Sequence, residues 1–413
     1  MPTPEHFWAN DILARCDELA AVSESPTDLT RTFLTPEHAR ANELVAGWMV
    51  RAGMTARVDG AGNIVGRYDG TVPDAPALML ASHLDTVRNA GKYDGMLGVV
   101  AAIACVDRLN QDGARLACPI EVLGFVNEEG TRFGATLTGS RAIAGTFNEA
   151  DLDARDAAGV TMRDAYIAFG LDPAKIATAA CQANDIAAYL ELHIEQGPVL
   201  ERANLAVGIV TAISGATRMR VELLGLAGHA GTVPMGQRRD ALAGAAEIIA
   251  FVEKRCGGVP GLVGTVGWIE AAPGAVNVVP GGAKFSLDIR AETDGVRIAA
   301  VADIKAEIAH ICARRNLDLS FAPLHDAPSS LCSERLMREL ENACAHEGFA
   351  TMRLPSGAGH DAMAIAEIAE IGMLFIRCTK GVSHNPAEAV LAEDVEAGTR
   401  VLYSFIREFK HDR

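Results

Sequence analysis

The sequence predicts an α/β protein with a smaller βαββαβ unit set into its chain, and three observations carry that prediction. Apolar strand-like runs alternate with helical runs up to about residue 211 and again after about 328, the pattern of a sheet covered by helices. Between 212 and 327 the rhythm changes to an order that packs as a small sheet with two helices on one face. At 413 residues the chain also exceeds what one compact core usually accommodates.

Taken in order, the first 55 residues read as helical. The clearest helix start is Thr35-Pro36-Glu37, a capping residue followed by proline at the first helical position, leading into Leu44, Val45, Trp48 and Met49, with Gly53 as a stop. Two short strands flank Asp59-Gly60-Ala61-Gly62 as a hairpin, followed by the strand run Ala77 to Ala81. The helical run Leu97 to Leu109 and the strand Ile120 to Val126 come next. Within the insertion, alternating Met219, Val221 and Leu223 read as a strand and the alanine-rich run 239–255 as a helix. Strands at 262–270 and 283–290, a helix at 295–314 and a strand from Leu317 to Phe321 complete it. A helix near 333–346, the strand Met373 to Cys378 and a helix from about 391 resume the first pattern. Residues 1–211 and 328–413 are thus expected to form one discontinuous domain and 212–327 an inserted one, with a substrate cleft between them.

Composition excludes several function classes. Thirty-seven basic against 53 acidic side chains give a net charge of -16, which argues against nucleic acid or an anionic membrane surface as the main partner. A small anionic substrate would then need a local cation. The nine cysteines are scattered and form no CxxC pair, so reduced buried thiols are expected rather than a disulfide framework or a thiolate zinc cage. The start MPTPEHFWAND lacks an apolar leader, and no stretch approaches 18 uncharged apolar residues, so a cytoplasmic protein is expected.

Four elements that follow predicted strands carry metal-binding residue types, the first of them in two stretches, SHLDT and KYDGMLG. In SHLDT, His83 has Asp85 two residues on, a carboxylate able to accept the ring's second N–H and orient it. Asp94 follows in KYDGMLG, where aspartate before glycine is more often an ordinary turn. In FVNEEGTRFG, adjacent Glu128 and Glu129 repel each other unless a cation holds them; a metal on Glu129 would leave Glu128 free to take a proton from water. YLELHIEQGPVLE sets Glu191, His193 and Glu195 on one face of an alternating strand, and CTKGVSHNPAE offers His384 in a loop. Each has an ordinary solvated reading by itself. Together they fall where α/β sheets build active sites, at strand ends.

In order, HLD (83–85), YDG (93–95), NEEG (127–130), ELHIEQGP (191–198), GHAGTVPM (228–235), NVVPG (277–281), SGAGHDA (356–362) and SHNPAE (383–388) span nearly the whole chain. The sequence resembles the M20 metallopeptidase superfamily and, within it, the hydantoinase/carbamoylase group of N-carbamoyl-L-amino acid hydrolases, β-ureidopropionases and allantoate amidohydrolases. The resemblance implies a mixed-sheet, zinc-peptidase-like catalytic domain with an inserted lid and dimerisation domain. It implies two divalent ions, Zn or Mn, Co or Ni, one on His83, Asp94 and His384 and the other on Asp94, Glu129 and His193. Asp94 is then the bridge, Glu128 the general base, and the Asp94–Gly95 bond is expected to be cis at a cost of about 3 kcal/mol. Histidine at 193, where many peptidases of the superfamily have a carboxylate, and the following Gln196 favour an amidase over a peptidase.

The same resemblance places Gln196, His229, Asn277, Arg290, Gly359 and His360 around the substrate, Arg290 by its planar fork on a carboxylate and His229 on the scissile carbonyl, in its own or the partner's site of a homodimer. It implies hydrolysis of the ureido group of allantoate or an N-carbamoyl-L-amino acid to ammonia and carbon dioxide, with the SGAGHDA and NVVPG segments leaning to allantoate. A dipeptidase or N-acyl-amino-acid deacylase is the alternative enzyme. A non-catalytic binding protein is disfavoured because every ligand position and the base are present.

Overall fold

The computed structural model describes residues 8–410; the opening MPTPEHF, which belongs to the helical and leader readings above, and residues 411–413 lie outside the described residues. The chain divides into two compact units. The first runs up to Thr211 and takes in Leu331–Leu354 and the chain from Gly359 onward; the second comprises Ala212–Ser330 and Pro355–Ala358.

In the first unit a mixed sheet runs in the order Thr55–Val58, Ile64–Tyr68, Ile120–Phe125, Ala77–His83, Ile186–Ile194, Ile371–Ile376 and Val207–Ile213. The four strands from Ile120–Phe125 to Ile371–Ile376 are mutually parallel, so their C-terminal ends share one edge. Ala77–His83, Ile186–Ile194 and Ile371–Ile376 are buried at every residue, because a parallel sheet is covered on both faces. The helix Met96–Gln111, buried without interruption from Met96 to Val106, packs on the central strands; such an all-round apolar helix is stable only inside. Ala9–Ala20, Glu334–Glu347 and Ala392–Glu408 belong to the same packing.

Pro36–Arg51 starts where the sequence places it, with Thr35 Oγ1 accepting from His38 N at 3.2 Å, and Gly53 follows its end at φ 84°. Residues 21–35 are not helical as the sequence reading has it. There Ser23 Oγ accepts from the amides of Ser25 and Thr30, so a side chain takes the donors a helix would use.

In the second unit Gly215–Leu224 lies between Gly282–Ala291 and the edge strand Asp318–Ala327 in an antiparallel sheet. The helices Ala241–Gly257 and Asp294–Arg315 cover one face, over a core that includes Val221, Ile248, Phe285, Ile289, Ile304 and Ile308. The single strand expected at 262–270 is two, Leu262–Thr265 and Ile269–Ala272, both paired with Gly282–Ala291. Thr265 pairs with Asp288 and Ile269 with Phe285, so three residues oppose two and the edge bulges. Alternation turns Phe285, Leu287 and Ile289 into the core and leaves Ser286, Asp288 and Arg290 on the other face. All nine cysteines are free, eight of them buried. No described helix is long and apolar enough to cross a membrane.

Candidate metal centre

The shared strand edge of the first unit carries the site. Leu80 pairs with Leu190, and this register, carried on, sets His83 opposite His193; their rings lie 5.7 Å apart between centroids. His83 Nδ1 donates to the Asp85 carbonyl and His193 Nδ1 to the Ile194 carbonyl, each at 2.9 Å. A carbonyl only accepts, so Nε2 is the lone-pair nitrogen of both rings. Both face Asp94 Oδ1, at 3.5 Å and 3.2 Å. Across the carboxylate, His384 Nε2 lies 3.3 Å from Asp94 Oδ2 and 3.2 Å from Glu129 Oε1.

Asp94 therefore offers one oxygen to each side, but the partners differ from those the resemblance implies. His83 and His193 share one oxygen, and His384 and Glu129 gather at the other. Sheet register decides this, because His83 and His193 end adjacent strands whereas His384 and Glu129 arrive on loops. His193 Nε2, wholly buried, makes no hydrogen bond. Lone pairs turned on a carboxylate repel it unless a cation lies between, and mixed His/carboxylate donors suit Zn, Mn, Co or Ni. His83, Asp94 and His193 form one set able to hold an ion and Asp94, Glu129 and His384 another, the ligand atoms of each within 4.8 Å of one another.

The Asp94–Gly95 bond is trans; the only cis bond among the described residues is Ala272–Pro273. The sharp reversal is made by Gly95 itself, at φ 74° and ψ -56° with Met96 N donating to Asp94 O at 3.0 Å, a γ-turn that needs no cis bond. A Cβ at Gly95 would stand 2.5 Å from the His83 ring, so glycine is required twice.

Asp85 does not orient His83 through its carboxylate, whose nearer oxygen is 4.0 Å from Nδ1. It accepts instead from the amides of Glu128 and Glu129, at 3.0 Å and 3.2 Å, and so fixes the loop that carries both glutamates. Burial pushes the Glu128 carboxyl well above the usual range, opposed by His83 and reinforced by Glu129. Burial would also raise Asp94, yet His193, His384 and His83, as imidazoliums when no metal takes their Nε2 lone pairs, hold it well below the carboxylate range. His384 is pushed up to about 10 by Asp94 and Glu129.

Of the other expected residues in this unit, Gln196 Nε2 donates to Asp94 Oδ2 at 2.9 Å. His360 is buried, its ring edge-on to His193 at 4.5 Å, and burial and His193 push it well below the imidazole range; Gly359 is exposed. Glu195 leaves the strand face and caps the next turn, accepting from Val199 N and Leu200 N.

Sequence reasoning gave no role to Glu388 and Ser383, although both stand in SHNPAE. Glu388 Oε1 accepts from the amides of Tyr93 and Asp94 at 2.8 Å and 3.1 Å, and Ser383 Oγ contacts both carboxylates. The Glu191 side chain, on a strand face that could have been solvated, is instead fully buried between Ser82 Oγ at 3.0 Å and Tyr189 Oη at 2.9 Å.

The remaining expected residues belong to the second unit. His229 pairs with Val278 in a two-stranded ribbon, and Ala230 N donates to the Asn277 carbonyl at 3.0 Å. Gly231 N donates to His229 Nδ1 at 3.0 Å, which leaves the exposed Nε2 as the ring's N–H. Arg290 is engaged by Asp288, Nε to Oδ1 at 3.0 Å and Nη2 to Oδ2 at 2.8 Å, and by the Gly357 carbonyl at 2.7 Å. Arg218 Nε holds Asp288 from the neighbouring strand at 3.0 Å. Arg218, Asp288 and Arg290, but neither His229 nor Asn277, line a cavity of 550 Å³ with Val263, Leu287 and Leu324.

The model of peptidase family M20/M25/M40 matches residues 79–408. The chain is 43% identical to the N-carbamoyl-L-amino acid amidohydrolase of Geobacillus stearothermophilus, over 97% of both chains. It is 38% identical to the allantoate deiminase of Arabidopsis thaliana, over 96% of this chain and 82% of that one. Among solved structures, an amidase of the hydantoinase/carbamoylase family from Burkholderia multivorans superposes with a TM-score of 0.91 at 31% identity, covering 96% of this chain and 97% of the other. The chain belongs to peptidase family M20/M25/M40 and, within it, to the hydantoinase/carbamoylase amidases.

Proposed function

We propose that the protein hydrolyses the ureido group of a small carboxylate, allantoate or an N-carbamoyl-L-amino acid, at a site whose residues would hold two divalent ions. The observation that carries this reading is the convergence of three imidazole Nε2 atoms on the two Asp94 oxygens, with Glu128 buried alongside. His83, Asp94 and His193 would hold one ion, and Asp94, Glu129 and His384 the other. Bound there, such ions supply Lewis-acid polarisation of a carbonyl and bring the pKa of water towards neutrality.

Glu128 takes a proton from water, the resulting hydroxide oxygen adds to the ureido carbon, and the proton passes to the departing nitrogen. Ammonia leaves, and the carbamate product loses carbon dioxide. Burial raises the Glu128 carboxyl, and a carboxylate made more basic is the better proton acceptor. Asp85 holds Glu128 and Glu129 in register by their amides. His229 donates Nε2–H to the oxyanion, Arg290 takes the substrate carboxylate, and Asn277, Gln196, Gly359 and His360 are the further substrate-binding residues of this proposal. The second unit acts as lid and as the contact of a cytoplasmic homodimer.

The relatives' names support both substrates, and the same residues serve either. The test is turnover of a panel of allantoate, N-carbamoyl-L-amino acids, dipeptides and N-acyl amino acids, read as ammonia release for the ureido compounds and as free amino acid for the others, assayed with Zn2+ and Mn2+. Turnover of a ureido carboxylate is expected; turnover confined to dipeptides or N-acyl amino acids would replace this reading with the peptidase or deacylase one.

A further inference from the structure

We propose that Arg31, outside every motif named above, is a positioning residue that sets the separation of the His83 and Asp94 loops and with it the grip on the ion between them. The inference rests on the reading that His83 and Asp94 hold a metal. Arg31 is only 1% exposed and makes no ion pair among the described residues. A guanidinium so buried is costly unless its donors are used, and its donors go to particular places. Nε donates to the Leu84 carbonyl at 2.9 Å, one residue beyond His83. Nη2 is turned on the sulfur of Met96, two residues beyond Asp94. Nη1 donates to the carbonyls of Leu19 and Val22 at 2.7 Å and 3.0 Å, which anchors the fork to the end of the helix Ala9–Ala20.

The main chain of Arg31 repeats the clamp. Its N–H donates to Thr86 Oγ1 at 2.9 Å and its carbonyl accepts from Thr86 N at 3.0 Å. One side chain and its own peptide groups thus hold residues 84 and 86, on either side of Asp85, and reach the first turn after Asp94. The fixed planar fork suits this better than a flexible ammonium, because a single rigid group spans three chain segments. The Arg31 charge also attracts that of Asp85, the residue whose carboxylate holds the Glu128 and Glu129 amides.

Arg31→Met and Arg31→Lys test this by Zn2+ affinity, measured by chelator competition well below each variant's unfolding midpoint, alongside kcat and KM. Arg31→Met should bind Zn2+ at least about tenfold more weakly and lose kcat with KM nearly unchanged, and Lys should restore part of the affinity. Wild-type Zn2+ affinity in a folded Arg31→Met would overturn the proposal, even if its unfolding midpoint fell. If Arg31→Met does not fold, Thr86→Val removes one arm of the clamp and should weaken Zn2+ binding about threefold; wild-type affinity there also overturns the proposal. His83→Ala separates the two ideas. Loss of Zn2+ in His83→Ala with none in the Arg31 variants sinks the proposal alone, whereas wild-type affinity in His83→Ala sinks the metal reading beneath it.

Discussion

The two units handle charge in opposite ways. In the first, Asp94, Glu128 and Glu129 converge with three histidines, and the ion pairs of Asp94 and Glu129 among the described residues are to imidazole alone. In the second, Arg218, Asp288 and Arg290 are partly exposed and already paired with one another. Charges left unneutralised in a buried place require a cation from outside. Charges neutralised by a neighbour near water can bind a ligand only by exchange, and each exchange gains little. Under the proposed function, the difference implies that changes at Asp94, Glu128 and Glu129 act on the chemical step and on metal retention, while changes at Asp288 and Arg290 act on substrate affinity.

The largest expected effect is that of Glu128→Gln, which should lower kcat about a thousandfold, within the usual range for a lost general base, while metal content measured by elemental analysis is retained. Retained activity would remove Glu128 as the base. Next comes Gly95→Ala. A side chain at positive φ costs about 1–3 kcal/mol, and its Cβ would push into the His83 ring, so a lower unfolding midpoint should come with loss of metal. A variant that lost stability but kept full metal content would show that the γ-turn and the ligand are independent.

In the second unit Arg290→Lys should raise KM about tenfold with a smaller change in kcat, because an ammonium cannot form the two parallel bonds of a guanidinium. An effect on kcat alone would erase the contrast between the units. The smallest effect is expected from Asp288→Asn. It removes the carboxylate that occupies the Arg290 fork and should lower KM by about threefold through reduced competition. A raised KM would mean instead that Asp288 aims Arg290 rather than competing for it.

Much of the fold was legible because the signals are local. Thr35 with Pro36, the Asp59 to Gly62 turn and the apolar runs before His83, Glu128 and His384 each specify conformation within a few residues. The bulge at Val266–Trp268 was not legible, since a one-residue excess appears only when two strands are laid side by side. Nor was the coil at 21–35, where Ser23 competes with the backbone for its own amides.

The same division holds at the site. Residue order alone sets the chemistry on offer: which side chains carry nitrogen or carboxylate donors, that Glu128 and Glu129 stand together, and that the donors fall at the ends of apolar runs. Tertiary structure decided which donors meet. Parallel register paired His83 with His193, the γ-turn at Gly95 replaced an expected cis bond, and two backbone amides drew the Asp85 carboxylate away from His83. It also brought in Arg31, Ser383 and Glu388, whose roles depend on neighbours 50 to nearly 300 residues away in the chain. Residue identity sets what a group can donate or accept, but distance and direction belong to the packed chain, and these two quantities make a donor into a ligand.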